Sequence, residues 1–232
     1  MSIAENLAQI KQNIAQAKAK SPSPQEEVTL VVVSKMHSSE ELKEVLACEE
    51  NILGENRVQE LMEKYEQLPK DVHWHLIGHL QTNKVKYIAD KVELVHSLES
   101  MDLAKEISKQ MVKLGGVLNC LVQINVAQEE QKFGLAVAEA ESFIREASQL
   151  EGIKIMGLMH IAPNFEDKEE TRPLFRQMYE LFISLKEKNI PNVQMRYLSM
   201  GMSGDYEIAV EEGSNMVRIG SAVFKTAEPF LR

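Results

Sequence analysis

The stretch VTLVVVSKMHSSEELKEVLACEENILGE, residues 28–55, contains a strand, a helix and a second strand in one run. Residues 28–34 are mostly apolar and β-branched, which is typical of a buried strand. Ser38 or Ser39 then opens a helix as its N-cap, with glutamates in the first turn. A second apolar run follows at residues 51–55. This order predicts two parallel strands that are joined by a helix.

The same alternation of apolar runs and helix-period segments continues along the chain. One predicted helix places Leu103, Ile107, Met111 and Leu114 on one face, and a longer one covers residues 169–188. With residues 28–34 the sequence predicts eight strands, the others lying near residues 51–55, 73–78, 92–97, 118–126, 153–161, 195–200 and 216–224. Strands that alternate with helices indicate a parallel sheet covered by helices.

A doubly wound sheet and a (β/α)8 barrel both fit this alternation, and two features favour the barrel. The strand count is eight, and 232 residues are close to the ~250 of a typical barrel. No G-x-G-x-x-G follows the first strand, as a dinucleotide-binding sheet would usually show. The sequence therefore predicts a single (β/α)8 TIM barrel domain over residues 1–232. It predicts an extra N-terminal helix, because apolar side chains from Ile3 to Ile14 share one helix face and SPSP ends it.

Charge and cysteine content restrict the class of partner. The chain has 26 lysines and arginines against 35 aspartates and glutamates, a formal net charge of −9. An acidic chain repels phosphate backbones, so no nucleic-acid binding is expected. Cys48 and Cys120 lack the spacing of a disulfide framework, which fits a reducing cytoplasm. No signal peptide is recognisable, and the apolar runs are too short to span a membrane. We therefore expect a soluble cytoplasmic protein without a membrane partner.

In a barrel of this kind, functional side chains gather at the carboxyl ends of the strands. Lys35 closes the apolar first strand. Partial desolvation there would lower the pKa of its amine and make it a nucleophile. On position alone, a structural lysine whose amine reaches solvent fits as well.

Small residues follow the seventh and eighth strands, in SMGMSGD (199–205) and RIGS (218–221). Barrels often bind phosphate at this position through backbone N–H groups. The two segments offer hydroxyl donors, a glycine and a fixed cation: Ser199, Ser221, Gly220 and Arg218. Ordinary turns capped by Ser203 or Asp205 would also explain the composition. An amine and a phosphate cradle at one barrel end fit an aldehyde-bearing phosphate cofactor, pyridoxal 5′-phosphate (PLP).

His73 and His75 form a His-x-His pair of the kind that binds metal in barrel hydrolases. The pair begins a strand, so it should lie at the opposite end of the barrel from the other candidate residues. No suitable Asp or Cys cluster completes a ligand set. A metal site is therefore a minor alternative, and packing or helix capping is the favoured interpretation of these histidines.

Several motifs resemble those of the YggS/PROSC family of PLP homeostasis proteins over nearly the whole chain. They are VVVSK (31–35), GENRVQE (54–60), WHLIGHLQTNK (74–84), GLMHIAP (157–163) and SMGMSGDYEIAVEEGSNMVRIGSAVF (199–224). The resemblance implies a barrel like the N-terminal domain of alanine racemase, with PLP at its mouth. It implies a Schiff base on Lys35, a contact beside the cofactor ring at Asn56, and an arginine facing the pyridine nitrogen at Arg218. The phosphate contacts that it implies are Ser199, Gly220 and Ser221.

Four segments depart from the family pattern, among them Lys132-Phe133-Gly134-Leu135 in place of a Lys-Ser/Ala-Gly form and His160 in place of a common Thr or Ala. Met36-His37 stands where a Thr-Lys-Pro-like turn is usual, and Phe224-Lys225 replaces a common Phe-Gly. These departures affect the expected shape of the pocket and leave the implied cofactor contacts in place. The resemblance also implies that His79 belongs to the pocket wall.

Two functions from different classes fit these observations, PLP buffering and delivery or a PLP-dependent, racemase-like enzyme. A cationic Arg218 disfavours protonation of the pyridine nitrogen and with it carbanion chemistry. The chain ends shortly after the eighth strand, whereas the resembling racemases use a second domain and a partner chain for one acid/base group. We therefore expect a monomeric, non-catalytic carrier, with apo PLP enzymes as acceptors of the cofactor.

Overall fold

The structure is a computed structural model that describes residues 2–23, 26–127 and 133–225. Within these ranges parallel strands close into a barrel in their sequence order. The strands are β1 (Thr29–Val33), β2 (Ile52–Glu55), β3 (His73–Leu76), β4 (Leu94–Leu98), β5 (Leu118–Ile124), β6 (Ile153–His160), β7 (Val193–Ser199) and β8 (Met216–Ile219). The helices are α1 (Ile3–Lys20), α2 (Ser39–Ala47), α3 (Val58–Gln67), α4 (Val85–Ile88), α5 (Met101–Leu114), α6 (Ala140–Ala147), α7 (Arg172–Glu187) and α8 (Tyr206–Glu211). The predicted (β/α)8 barrel is confirmed, and the doubly wound sheet is not what the chain forms.

Strand β1 lies between β8 and β2 and closes the barrel. Val31 pairs with Arg218 of β8, and Val33 pairs with Gly54 of β2. Because all strands are parallel, their carboxyl ends meet at one end of the barrel. The segments that follow β8, β1 and β2 are therefore neighbours at this end, which we call the mouth.

Strand side chains alternate between two apolar layers. The inner layer fills the barrel and consists of Val31, Val33, Ile77, Leu94, Leu121, Met156, Met159 and Met216. The outer layer, which includes Trp74 and Phe175, packs between the strands and the helices. The barrel is thus a packed core, and a cofactor has to be held by residues at the strand ends.

Helix α1 is the predicted extra helix, and it packs against the segment that follows β8. Ser2 caps it through a bond with the N–H of Glu5, and the helix ends at Lys20. On its buried face, Asn6 Nδ2 donates to the carbonyl of Val223 at 2.8 Å. Of the two caps predicted for α2, Ser38 and Ser39, the structure uses Ser38, whose hydroxyl accepts from the N–H of Glu41.

Three further expectations concern the chain as a whole. Cys48 and Cys120 are both free thiols. Across the described ranges, no helix is long and apolar enough to cross a bilayer. The predicted single domain over residues 1–232 includes residues 1, 24–25, 128–132 and 226–232, which lie outside the described residues.

Candidate functional site

Lys35 follows β1 at the mouth, with Ser34 between them. Val31 and Val33 point into the barrel, and the two-residue alternation of the strand assigns Lys35 to the same side. Its side chain is exposed. Met36, which follows, has a φ of 65°, so the chain turns sharply after the lysine. The amine therefore stands at the surface of the mouth, where a small molecule can reach it.

Two of the four departures from the family pattern meet in space. The ring of His37 stacks on the ring of Phe224 with centroids 3.6 Å apart and an interplanar angle of 19°. The neighbouring Lys225 accepts a hydrogen bond through its carbonyl from Asn6 of α1, at 2.9 Å. These contacts join the loop after β1 to the segment after β8 and form one side of the mouth.

A buried polar network lies next to Lys35 and joins the ends of β1 and β2 to α3. Lys64 donates to Glu55 Oε2 at 2.7 Å and to the carbonyl of Ser34 at 2.6 Å. The Ser34 hydroxyl donates to the same carboxylate oxygen at 2.7 Å, and the N–H of Asn56 donates to Glu55 Oε1 at 2.7 Å. Ser34 and Glu55 are fully buried, and Lys64 is 8% exposed. The network fixes the backbone next to both Lys35 and Asn56.

Asn56 follows β2, next to the end of β1. Its side-chain Oδ1 is buried and has no hydrogen-bond partner among the described residues. Gly78 packs closely beside it, since a Cβ at Gly78 would lie 2.3 Å from the Asn56 carbonyl oxygen. A buried polar atom without a partner calls for a ligand or solvent contact. The Asn56 side chain therefore fits a cofactor contact.

Ser203 connects the turns after β7 and β8. Its hydroxyl oxygen accepts from the N–H of Gly220 at 3.3 Å and from that of Ala222 at 3.2 Å. Ser221, between them, is exposed. A Cβ at Gly220 would lie 3.1 Å from the Cβ of Val33, so this turn lies against the end of β1. The sequence suggested a helix cap for Ser203 and did not predict its place in this cradle.

Inside the barrel, Ser199, Arg218 and two histidines form a buried chain. Arg218 donates through Nη1 to Ser199 Oγ at 2.6 Å and through Nη2 to the carbonyl of His160 at 2.9 Å. Ser199 Oγ lies 3.1 Å from His96 Nδ1, and His96 Nε2 lies 3.1 Å from His75 Nδ1. Ser199 and His96 are fully buried, and Arg218 and His75 are 3% and 6% exposed. The motifs predicted Ser199 and Arg218 at the cofactor but not their direct contact.

Arg218 is a buried cation. Burial lowers the pKa of its guanidinium to about 10, and the nearby Asp205 carboxylate opposes this shift. The guanidinium therefore stays charged at neutral pH. Burial also raises the pKa of Asp205 above its usual value.

His96 is a further side chain whose role the sequence did not predict. Leu94, two residues earlier in β4, points into the barrel, and the same alternation assigns His96 to the interior. Burial lowers the pKa of His75 to about 3. Burial, with His75 and Arg218 nearby, holds the pKa of His96 well below its usual value. Both imidazoles are therefore neutral at pH 7.

We expect these buried histidines to destabilise the fold below about pH 6.5. In the unfolded chain each binds a proton near the ordinary pKa of 6.5, whereas folded His75 stays neutral down to about pH 3. The unfolded state then binds more protons, so the free energy of unfolding is largest above pH 6.5 and decreases as the pH falls. The expected slope is at most about 1.4 kcal/mol per pH unit for each histidine.

Urea unfolding at about pH 7.5 and about pH 5.5 measures this dependence. His96→Gln should reduce the difference between the two pH values. Ser142→Ala, at an exposed position of α6 that carries no titratable group, should leave it unchanged. An equal pH dependence in His96→Gln and the wild type would contradict the prediction.

His79, implied in the pocket wall, lies just after β3. Its Nδ1 is 2.7 Å from Glu99 Oε1, and its ring stacks on Phe133 with centroids 4.1 Å apart. Burial raises the pKa of Glu99 above its usual value. These contacts form a second side of the mouth from the segments that follow β3, β4 and β5.

Two cavities lie at the other end of the barrel. A groove of about 470 Å³ runs between α1, residues 26–30 and residues 50–52. A second space, which we call the amino-terminal cavity, has a volume of about 240 Å³ and a lining that includes His73, His75 and Glu93. The described part of the chain has no group of three or more His, Cys, Asp or Glu residues that could hold a metal ion. His75 is buried inside the barrel, with its Nδ1 3.1 Å from His96 Nε2.

The barrel and the residues at its mouth define a class of protein. Residues 6–228 match the family described as alanine racemase, N-terminal domain. This match covers the barrel strands, from β1 through β8, together with most of α1.

Relatives over nearly the full length make the assignment more specific. The pyridoxal phosphate homeostasis protein of Aquifex aeolicus (strain VF5) is 40% identical over 225 residues, which cover 97% of this chain and 98% of the relative. The protein of the same name from Escherichia coli (strain K12) is 33% identical over 226 residues, 96% and 95% of the two chains. The structure of PipY from Synechococcus elongatus PCC7942 with PLP bound is 32% identical, with a TM-score of 0.84, covering 97% of this chain and 100% of PipY. The chain belongs to the family of pyridoxal phosphate homeostasis proteins.

Proposed function

We propose that the protein binds PLP at the mouth as a Schiff base on Lys35, buffers its concentration and delivers it to other proteins. The observation that carries the proposal is the arrangement of three neighbouring strand ends. Lys35 lies between Asn56, whose buried Oδ1 has no partner among the described residues, and the turn at Gly220 and Ser221. The PLP-bound structure of PipY supports the same cofactor here.

The residues of the mouth fit the functional groups of PLP. The exposed amine of Lys35 can add to an aldehyde and release one water, a step that needs no further reactant. Asn56 Oδ1 can accept from the phenolic hydroxyl of the ring. The exposed hydroxyl of Ser221 suits a phosphate, whereas the N–H of Gly220 donates to Ser203 in this structure. A phosphate contact by Ser199 stays a prediction, while its observed partners are Arg218 and His96.

Arg218 supports a carrier over a racemase-like enzyme. When bound, PLP supplies an aldehyde and a pyridine ring that acts as an electron sink once its nitrogen is protonated. A guanidinium at that nitrogen opposes protonation because like charges repel. Ser199 and the carbonyl of His160 hold the guanidinium in place. The site therefore suits binding and release of the cofactor more than carbanion chemistry.

The phosphate cradle gives a selective prediction. Ser221→Ala should weaken PLP binding by about 10- to 100-fold, since a hydrogen bond to a charged group contributes about 1.5–3 kcal/mol. Binding of unphosphorylated pyridoxal should be nearly unchanged. Fluorescence titration with both ligands measures the difference, and Ser142→Ala on the exposed side of α6 is the control. Equal weakening of both ligands would show that Ser221 does not contact the phosphate.

Two assays test the function itself. The PLP-loaded protein is mixed with an unrelated apo PLP enzyme, and recovery of that enzyme's activity is compared with an equal amount of free PLP. In parallel, the loaded protein is incubated with amino acids in deuterated water, and exchange at Cα is followed by NMR. We expect faster activation than with free PLP, and slow or absent exchange.

Rapid Cα exchange that depends on Lys35 would refute the carrier and favour the racemase-like enzyme. Activation no faster than with free PLP would support storage and refute directed delivery. A monomeric state, a cytoplasmic location and apo PLP enzymes as acceptors belong to the same proposal. The two free cysteines support the reducing compartment.

A further inference from the structure

One hydrogen-bonded chain of side chains runs from the proposed cofactor site to the amino-terminal cavity. Its order is Arg218, Ser199, His96 and His75, with successive distances of 2.6, 3.1 and 3.1 Å. His75 lines the amino-terminal cavity. The proposed function uses Arg218 and gives no role to the two buried histidines.

Arg218 sets the direction of the hydrogen bonds, because a guanidinium donates and cannot accept. Ser199 Oγ therefore accepts from Arg218 and needs an acceptor for its own hydrogen. Among the described residues, the acceptor within hydrogen-bond distance is His96 Nδ1. The lowered pKa of each histidine means that each ring carries one N–H at neutral pH. His96 then holds its hydrogen on Nε2 and donates it to His75 Nδ1.

The opposite tautomer of His96 would leave a buried donor unsatisfied. With a hydrogen on His96 Nδ1, the Ser199 oxygen would face two donors, and its hydroxyl hydrogen would have no acceptor in the described part of the chain. Such a buried donor is costly because it has given up its hydrogen bond to water. In the favoured direction the last donor is His75 Nε2–H, on a side chain that lines a cavity of about 240 Å³. Solvent in that cavity can accept this hydrogen bond.

We propose that His96 is a positioning residue of the cofactor site and that His75 supports it from the cavity side. By accepting from the Ser199 hydroxyl, His96 orients the oxygen lone pairs of Ser199 toward Arg218 and so fixes the guanidinium. The proposal rests on the proposed function, because that function gives Arg218 its place at the pyridine ring. It also implies that the Ser199 hydroxyl donates to His96 and not to the phosphate.

The tautomers of the two histidines test the proposal directly. Full-length protein with ¹⁵N-labelled histidine rings is studied by long-range proton–nitrogen correlation NMR, with and without PLP. His96→Gln and His75→Gln assign the signals. We expect His96 and His75 to carry their hydrogens on Nε2 in both samples. A hydrogen on Nδ1 of His96 in either sample would overturn the proposal, and its appearance on adding PLP would assign the Ser199 hydroxyl to the phosphate.

Variants test the effect on the cofactor site. His96→Leu removes the acceptor and should weaken PLP binding about tenfold, equivalent to about 1.4 kcal/mol. His96→Gln keeps an acceptor and an N–H donor and should stay within about threefold of the wild type. His73→Gln is the control, because His73 lines the amino-terminal cavity and takes no part in the hydrogen bonds from Arg218 to His75. Unchanged affinity in a folded His96→Leu would overturn the positioning role.

The outcomes separate this inference from the proposed function. A wild type that fails to bind PLP would refute the proposed function. The tautomers of His96 and His75 would still show in which direction the hydrogen bonds from Arg218 to His75 run. A wild type that binds PLP with the opposite tautomers would refute the inference alone. The tautomer measurement uses the wild type and decides the question even if His96→Leu does not fold.

Discussion

Lys35→Ala should abolish covalent attachment of PLP, the largest effect that we expect from a single substitution. Borohydride reduces a Schiff base to a stable secondary amine, so peptide mapping of the treated wild type should find the pyridoxyl group on Lys35. The variant lacks the amine that would react with the aldehyde of PLP. Asn56 and the turn at Gly220, the proposed contacts of the ring and the phosphate, are still present. Absorbance of the Schiff base should disappear, while non-covalent binding through the phosphate can persist.

Lys105→Ala is the matched control for this experiment. Lys105 is an exposed lysine of α5 without a hydrogen bond or ion pair among the described residues. Its loss should leave both the absorbance and the labelled peptide unchanged. A pyridoxyl group found on a lysine other than Lys35 in the wild type would refute the assignment.

The barrel was predictable because each of its strands is a short apolar run between helix-period segments. For the last strand, the apolar pattern predicts a strand that is too long. The sequence predicted it over residues 216–224, whereas β8 ends at Ile219. Gly220 then begins a helical turn, in which the N–H of Val223 donates to the Gly220 carbonyl at 2.8 Å. Val223 is apolar because it packs in the outer layer and not because it continues the strand.

The place of the site at the strand ends was also predictable, since parallel strands bring their carboxyl ends together. The turn that follows Lys35 was not, because the positive φ of Met36 occurs at a residue that is neither glycine nor asparagine. The buried hydrogen bonds that join Ser199, His96 and His75 were not predictable either. His96 and Ser199 are 103 residues apart in sequence, and a single histidine within an apolar strand does not indicate its partner.

The network behind Lys35 gives the second large prediction. Lys64→Met should lower the free energy of unfolding by about 3–5 kcal/mol, because it leaves the carboxylate of Glu55 buried without its cation. Glu55 is fully buried, and the ion pair is 2.7 Å long. Urea unfolding at neutral pH measures the loss. Lys43→Met is the control, since its pair with Glu40 is exposed and should contribute about 0–1 kcal/mol.

A double substitution separates the charge from the packing. In Lys64→Met with Glu55→Gln, no buried charge is left without a partner, and the amide can still accept from the N–H of Asn56. The double variant should therefore regain much of the stability lost in Lys64→Met, and the non-additivity measures the coupling between the two side chains. A Lys64→Met variant that loses no more than Lys43→Met would refute the role of the pair.

The same variants test whether the network serves the cofactor site as well as the fold. Lys64 binds the carbonyl of Ser34, the residue before Lys35. Glu55 accepts from the Ser34 hydroxyl and from the N–H of Asn56. The backbone at Lys35 and at Asn56, the two proposed PLP contacts, therefore depends on this ion pair. The double variant, although stable, loses the bond from Lys64 to the Ser34 carbonyl. We expect it to bind PLP less tightly than the wild type under conditions in which both are fully folded. If the double variant binds PLP as tightly as the wild type, the network contributes to stability only, because the position of Lys35 then does not depend on it.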